Sequence, residues 1–142
     1  MPVVDASVVV DWVAPGGDPR LPSVMLLEQL AAGGADLLAP RLLMEEVSNA
    51  LLTGVRRGRW HGADADAAHR LLRRLPVQLV DDPRDLHRAW DLARRYDNRA
   101  IYDLLYVALA ERRRTQLVTA DASLRRVLVG LAWVVAPEDL LA

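Results

Sequence analysis

Val3-Val4-Asp5-Ala6-Ser7 near the start of the chain and Leu117-Val118-Thr119-Ala120-Asp121-Ala122-Ser123 near its end are variants of one phrase. In each, a short Val-rich run stops at a carboxylate, and the next segment has helical character. Such a run reads as a buried strand, and the Asp stands where the chain turns from strand to helix. In a parallel sheet these turns all open on one edge, the edge where α/β folds build their sites. Two carboxylates more than a hundred residues apart in sequence are therefore expected to be neighbours in space.

The residues between the two phrases repeat the same alternation. Pro2 to Asp5 reads as the first strand and Ser7 to Val13 as a short helix, ended by Ala14-Pro15-Gly16-Gly17. Apolar positions recur at helical spacing from Leu21 to Ala32, Gly33-Gly34 stops that helix, and Asp36 to Pro40 forms the next strand. Helices follow from Leu42 to about Arg57 and from Trp60 to Arg74, the latter capped around Gly62 to Asp64, and then a strand at Val77 to Val80. Asp82-Pro83 opens a helix to about Tyr96, because proline suits a first helical turn. The helix Ile101 to Arg113, the strand Gln116 to Thr119, the helix Ala122 to Val129 and the strand Leu131 to Val135 complete the pattern. About five short strands alternating with helices imply an α/β fold of three layers, α/β/α, around a central parallel sheet. No linker divides the 142 residues, so a single domain spanning 1–142 is expected.

Composition narrows the function classes. With 52% hydrophobic residues the chain can build a core, but no apolar run approaches the ~20 residues of a membrane helix. Asp5 and Asp11 interrupt the only apolar stretch near the N-terminus, so no signal peptide is visible and a cytoplasmic location is expected. There is no cysteine, which excludes disulfides, thiolate metal sites and cysteine nucleophiles. All eighteen basic residues are arginine, which excludes mechanisms that need a lysine at a phosphate. A net charge of -1 argues against nonspecific adhesion to nucleic acid and leaves room for a local basic patch.

Four acids stand out, each beside a plainer reading. Asp5 and Asp121 sit where a helix N-cap would stand, and capping alone would account for either. Asp103 is the one charge in the ten positions Ile101 to Ala110. A helix apolar on nearly all sides is buried, and a carboxylate within it needs a cation, strong hydrogen bonds or an arginine partner. In the helix from Leu42, residues Leu43, Val47, Ala50, Leu51 and Gly54 share a face; Glu46 lies at its margin and Glu45 points away. Glu46 is thus the candidate ligand and Glu45 its solvated neighbour. Four acids from four segments, with no cysteine and no histidine pair, would repel one another unless a hard divalent cation such as Mg²⁺ or Mn²⁺ joined them. His61, His69 and His87 read as surface residues, and Arg56, Arg57, Arg59 and Arg112 to Arg114 read first as complements to helix C-termini. The four tryptophans of a chain with no phenylalanine read mostly as packing residues.

These residues resemble the PIN-domain ribonucleases, and within them the VapC-type toxins of bacterial toxin-antitoxin pairs. The resemblance spans essentially the whole chain and rests on Val3-Val4-Asp5-Ala6-Ser7-Val8, Pro40 with Glu46-Val47-Ser48-Asn49-Ala50-Leu51, Tyr102 to Ala110, and Leu117 to Asp121. It implies that Asp5, Glu46, Asp103 and Asp121 form an acidic tetrad holding Mg²⁺ or Mn²⁺, with Thr119 supporting the site by hydrogen bonding. It further implies hydrolysis of RNA phosphodiesters to a 5′-phosphate and a 3′-hydroxyl, inhibition by a cognate VapB-type antitoxin, and a homodimer. A housekeeping RNA-processing nuclease and a non-catalytic PIN-like binding module share the resemblance. An aspartyl-phosphate enzyme would also place an acid at Asp5, but the chain has no lysine to steady an acyl phosphate. The chain departs from the family pattern at Arg99-Ala100, where Leu then Ser or Thr is common, at Leu104 in place of Ala, and at Asp11 in place of Lys.

Overall fold

Five parallel strands form one sheet in the order β3-β2-β1-β4-β5: β1 Val3–Val4, β2 Leu37–Pro40, β3 Val77–Val80, β4 Leu117–Val118 and β5 Val134–Val135. The computed structural model describes all 142 residues, Met1–Ala142. Every residue of β1, β2 and β4 is buried, with no alternation along the strand. That pattern requires cover on both faces, which the seven helices supply. The helices are α1 Ala6–Val13, α2 Pro22–Ala32, α3 Leu43–Arg56, α4 Gly62–Leu72, α5 Pro83–Arg95, α6 Ile101–Arg113 and α7 Ala122–Val127. The expected α/β/α architecture is thus the observed one. Element ends move by a few residues; Trp60, for example, lies outside α4. A core of 29 buried residues runs through the fold. None of the helices is long and apolar enough to cross a membrane.

Strand order decides where a site can form. From β1 the chain winds outward through β2 to β3, then returns to place β4 on the other side of β1, with β5 beyond it. The connections reverse direction between β1 and β4, and such a switch point opens a crevice beyond the strand ends. Val4 stands opposite Val118, so Asp5 and Thr119 leave the sheet at the same level.

Two further features fix the helical layers. α5 and α6 pack along one another, joined by the buried Asp85, which accepts from Arg112 Nε at 2.7 Å and Nη2 at 2.9 Å. In α3, Gly54 faces the indole of Trp60, whose Nε1 donates to the Leu51 carbonyl at 2.9 Å. A Cβ at Gly54 would overlap that ring. Gly54→Ala should therefore destabilise the protein by about 2 kcal/mol in urea unfolding, against the ~1 kcal/mol gain that alanine normally brings to a helix. A stabilised variant would mean that Trp60 swings away freely.

Candidate active site

Asp5 ends β1 and caps α1. Its Oδ1 accepts from the Ser7 N–H at 3.1 Å, the Ser7 hydroxyl at 2.5 Å and the Val8 N–H at 3.4 Å. The capping reading of this residue is correct, yet it leaves the charge unexplained. Asp5 is 7% exposed, and burial pushes its carboxyl up to about 6, against the hydrogen bonds from Ser7, Thr119 and Val8; the negative charge of Asp103 pushes it the same way. A helix cap needs no burial and no acidic neighbour.

Glu46 lies in the first turn of α3 and receives the Tyr106 hydroxyl on Oε1 at 2.6 Å. Burial raises its carboxyl as well, the Tyr106 bond opposes this, and Asp103 adds to it. Tyr106 itself is 2% exposed. Burial, Glu46 and the charges of Asp5 and Asp103 hold its hydroxyl protonated far above the ordinary tyrosine range, so it remains a donor. Glu45 is exposed and faces Arg41 at 3.8 Å, as the helix-face argument required.

Asp103 differs from its sequence reading. Burial along α6 begins at Leu104 and continues from Tyr106 to Ala110, whereas Tyr102 is exposed and the Asp103 side chain keeps 32% of its surface. The helix is therefore not apolar on nearly all sides at its first turn, where water reaches the carboxylate. An arginine partner is present too: Arg99 Nε donates to Asp103 Oδ2 at 2.9 Å. The preceding turn places Asp97 and Asn98 at φ of 58° each, left-handed conformations that Asp and Asn tolerate. Ala100, at the cap of α6, offers no side-chain oxygen to the helix.

Thr119 is fully buried at the end of β4. Its hydroxyl stands 3.4 Å from that of Ser7 and accepts from the Asp121 N–H at 3.1 Å. The Ala120 N–H donates to Ser7 Oγ at 2.9 Å, which laces the β4 turn to the β1 turn. Asp121 caps α7, with Oδ1 accepting from the Ser123 and Leu124 N–H groups at 2.9 and 3.1 Å.

Asp5, Glu46 and Asp103 are thus electrostatically linked, and Asp121 joins them through Thr119 and Ser7. No three acidic or histidine side chains are arranged as a ready-made cation cage. Two contributors escaped the sequence reading. Ser7 was visible only as part of a repeated phrase, and Tyr106 could have been found as the residue one turn after Asp103; Arg99 stood out as a departure from the family pattern, and the structure makes it the arginine partner of Asp103. His61 and His87 are exposed, His69 is half-buried, and Arg112 serves the α5–α6 contact instead of a site. Trp12, Trp60 and Trp133 pack against or within the core, whereas Trp90 is 62% exposed.

A doubly wound α/β fold with acids gathered at its switch point defines a class of proteins whose chemistry lies at the ends of the central strands. Within that class, the chain belongs to the PIN domain family, which matches residues 3–128. PIN domains are generally nucleases. Among solved structures, a toxin-antitoxin complex from Klebsiella pneumoniae is similar in fold, with a TM-score of 0.65 and 17% identity, covering 96% of this chain and 98% of that chain. No curated protein matches the sequence.

Proposed function

We propose that this protein is a metal-dependent endoribonuclease, one PIN-like domain over residues 1–142, acting as the toxin of a toxin-antitoxin pair. The observation that carries the reading is the coupling of Asp5, Glu46 and Asp103. The three carboxylates come from three segments, and the charge of Asp103 makes ionisation of the other two harder. Such an arrangement is unfavourable for stability alone. Family membership supports nuclease chemistry, and the toxin-antitoxin assignment follows the similar Klebsiella complex.

The donor set is all oxygen and anionic, which fits Mg²⁺ or Mn²⁺; Asp5, Glu46, Asp103 and Asp121 would hold the ion. Bound there, it would supply Lewis acidity that offsets the charge built up as water attacks phosphorus. The chain supplies the rest. Ser7, itself 3.4 Å from the Thr119 hydroxyl, holds the Asp5 carboxylate, and Tyr106 holds that of Glu46, which restrains both donors. No cysteine or lysine stands among the acids, so covalent chemistry through a thiolate or an amine is excluded. A cognate VapB-type antitoxin, an RNA substrate, a homodimer and a cytoplasmic location belong to the same reading.

The deciding experiment is incubation of purified, antitoxin-free protein with total RNA in Mg²⁺, Mn²⁺ or EDTA. Discrete fragments bearing 5′-phosphates, formed only with metal, are expected. Metal binding without cleavage would instead favour a PIN-like binding module, the reading to which the Arg99–Asp103 ion pair lends weight.

A further inference from the structure

Arg99 is poorly placed to stabilise the helix it precedes. It lies just ahead of the N-terminus of α6, where the helix dipole disfavours a positive charge. Its partner lies four residues further along, so the pair runs from cation to anion, the weaker of the two orientations on a helix. Asp103 needs no arginine for the helix either, because an acid in a first turn is already favoured there. The guanidinium is nonetheless held, with 23% of the side chain exposed. Its backbone is set by the two left-handed residues Asp97 and Asn98, and Asn98 is tied to Arg94 Nη1 at 2.6 Å.

What the position does suit is the charge of the crevice. The charge of Asp103 acts on Asp5 and Glu46, and Arg99 is the one cation in ion-pair contact with any of the three. The carboxylate oxygen that Arg99 occupies is a hard donor of the kind a divalent ion takes.

We propose that Arg99 is a resident counter-ion of the acidic crevice, occupying Asp103 when no metal is bound and competing with a divalent cation for that carboxylate. This rests on the metal-centre reading above. Binding of a cation at Asp103 then requires the guanidinium to leave Oδ2 and turn toward the open side of the crevice, so this chain takes up metal more weakly than its acids alone would allow.

Mn²⁺ titration of the purified full-length protein, followed by calorimetry and by the electron paramagnetic resonance signal of free Mn²⁺, tests the idea without reference to activity. Arg99→Gln should bind Mn²⁺ about two- to fivefold more tightly, the range set by a partly exposed ion pair. Arg99→Lys should fall between the two, and in an Asp103→Asn background Arg99→Gln should change nothing. Equal or weaker binding by Arg99→Gln, with circular dichroism confirming the fold, would overturn the counter-ion role while leaving the metal centre intact. Absence of Mn²⁺ binding in both proteins would overturn the metal centre and this proposal together.

Discussion

Asp5→Asn is expected to lower RNA cleavage by a factor on the order of 10³ while the protein stays folded. The substitution keeps the shape of the side chain. An amide oxygen can still accept from the N–H groups of Ser7 and Val8 and from the Ser7 hydroxyl, so the start of α1 keeps its cap. What disappears is the charge, and the charge is the costly part of this residue. In metal-free protein the carboxyl moves from its ordinary 3.8 to about 6, chiefly through burial. A raised carboxyl is protonated more readily in the folded chain than in the unfolded one. Its contribution to stability is therefore complete below about pH 3.8 and is lost as pH rises through about 6. That loss amounts to about 3 kcal/mol. Urea unfolding in EDTA should show wild-type stability falling across this window, and the Asn variant should lack that component of the fall. A folded Asp5→Asn protein with wild-type cleavage would remove Asp5 from the site. Equal pH profiles for the two proteins would show that the carboxyl is not buried as described.

Removing Asp85 should be the most damaging single change outside the crevice. Asp85 is 7% exposed and holds Arg112 through both carboxylate oxygens across the α5–α6 contact. Arg112 is held in place and largely covered, and the remaining acid, Asp82, is 3.7 Å away. Asp85→Ala thus strands a guanidinium in a partly dry environment and also takes an acid from the first turn of α5. Breaking one side of a buried pair in this way costs about 3 kcal/mol, which corresponds to a fall in Tm of roughly 10 °C for a chain of this size. Differential scanning calorimetry measures it directly. The double variant Asp85→Leu with Arg112→Met, which strands neither charge, should cost less. A fall under about 3 °C for Asp85→Ala would mean that Asp82 takes over the pairing.

The periodic features of the chain were readable because they are local. Strand runs such as Val3-Val4 and Leu117-Val118 are apolar without alternation, which only a sheet covered on both faces explains, and the first three helices between them have their stops written in Gly and Pro. Glu46 could be separated from Glu45 because 100° per residue fixes which side of a helix each acid occupies. Asp103 shows the limit of that reasoning. Ten nearly uncharged positions imply a buried helix, but the sequence does not say at which residue cover begins, and it begins at Leu104. The left-handed turn at Asp97 and Asn98 likewise carries no periodic signal, although it is what sets Arg99 against the acids.

The α/β class, the order of the elements and the short set of acids worth testing follow from hydrophobic period, turn residues and the scarcity of charge in apolar segments, all of them local properties of the chain. The folded arrangement was needed to learn that Val4 stands opposite Val118, that Tyr106 reaches Glu46 from sixty residues away, and that Ser7 bridges to Ala120. Those contacts join segments far apart along the chain. Their geometry is set by strand order and helix packing, which burial of the whole core selects and no single stretch encodes.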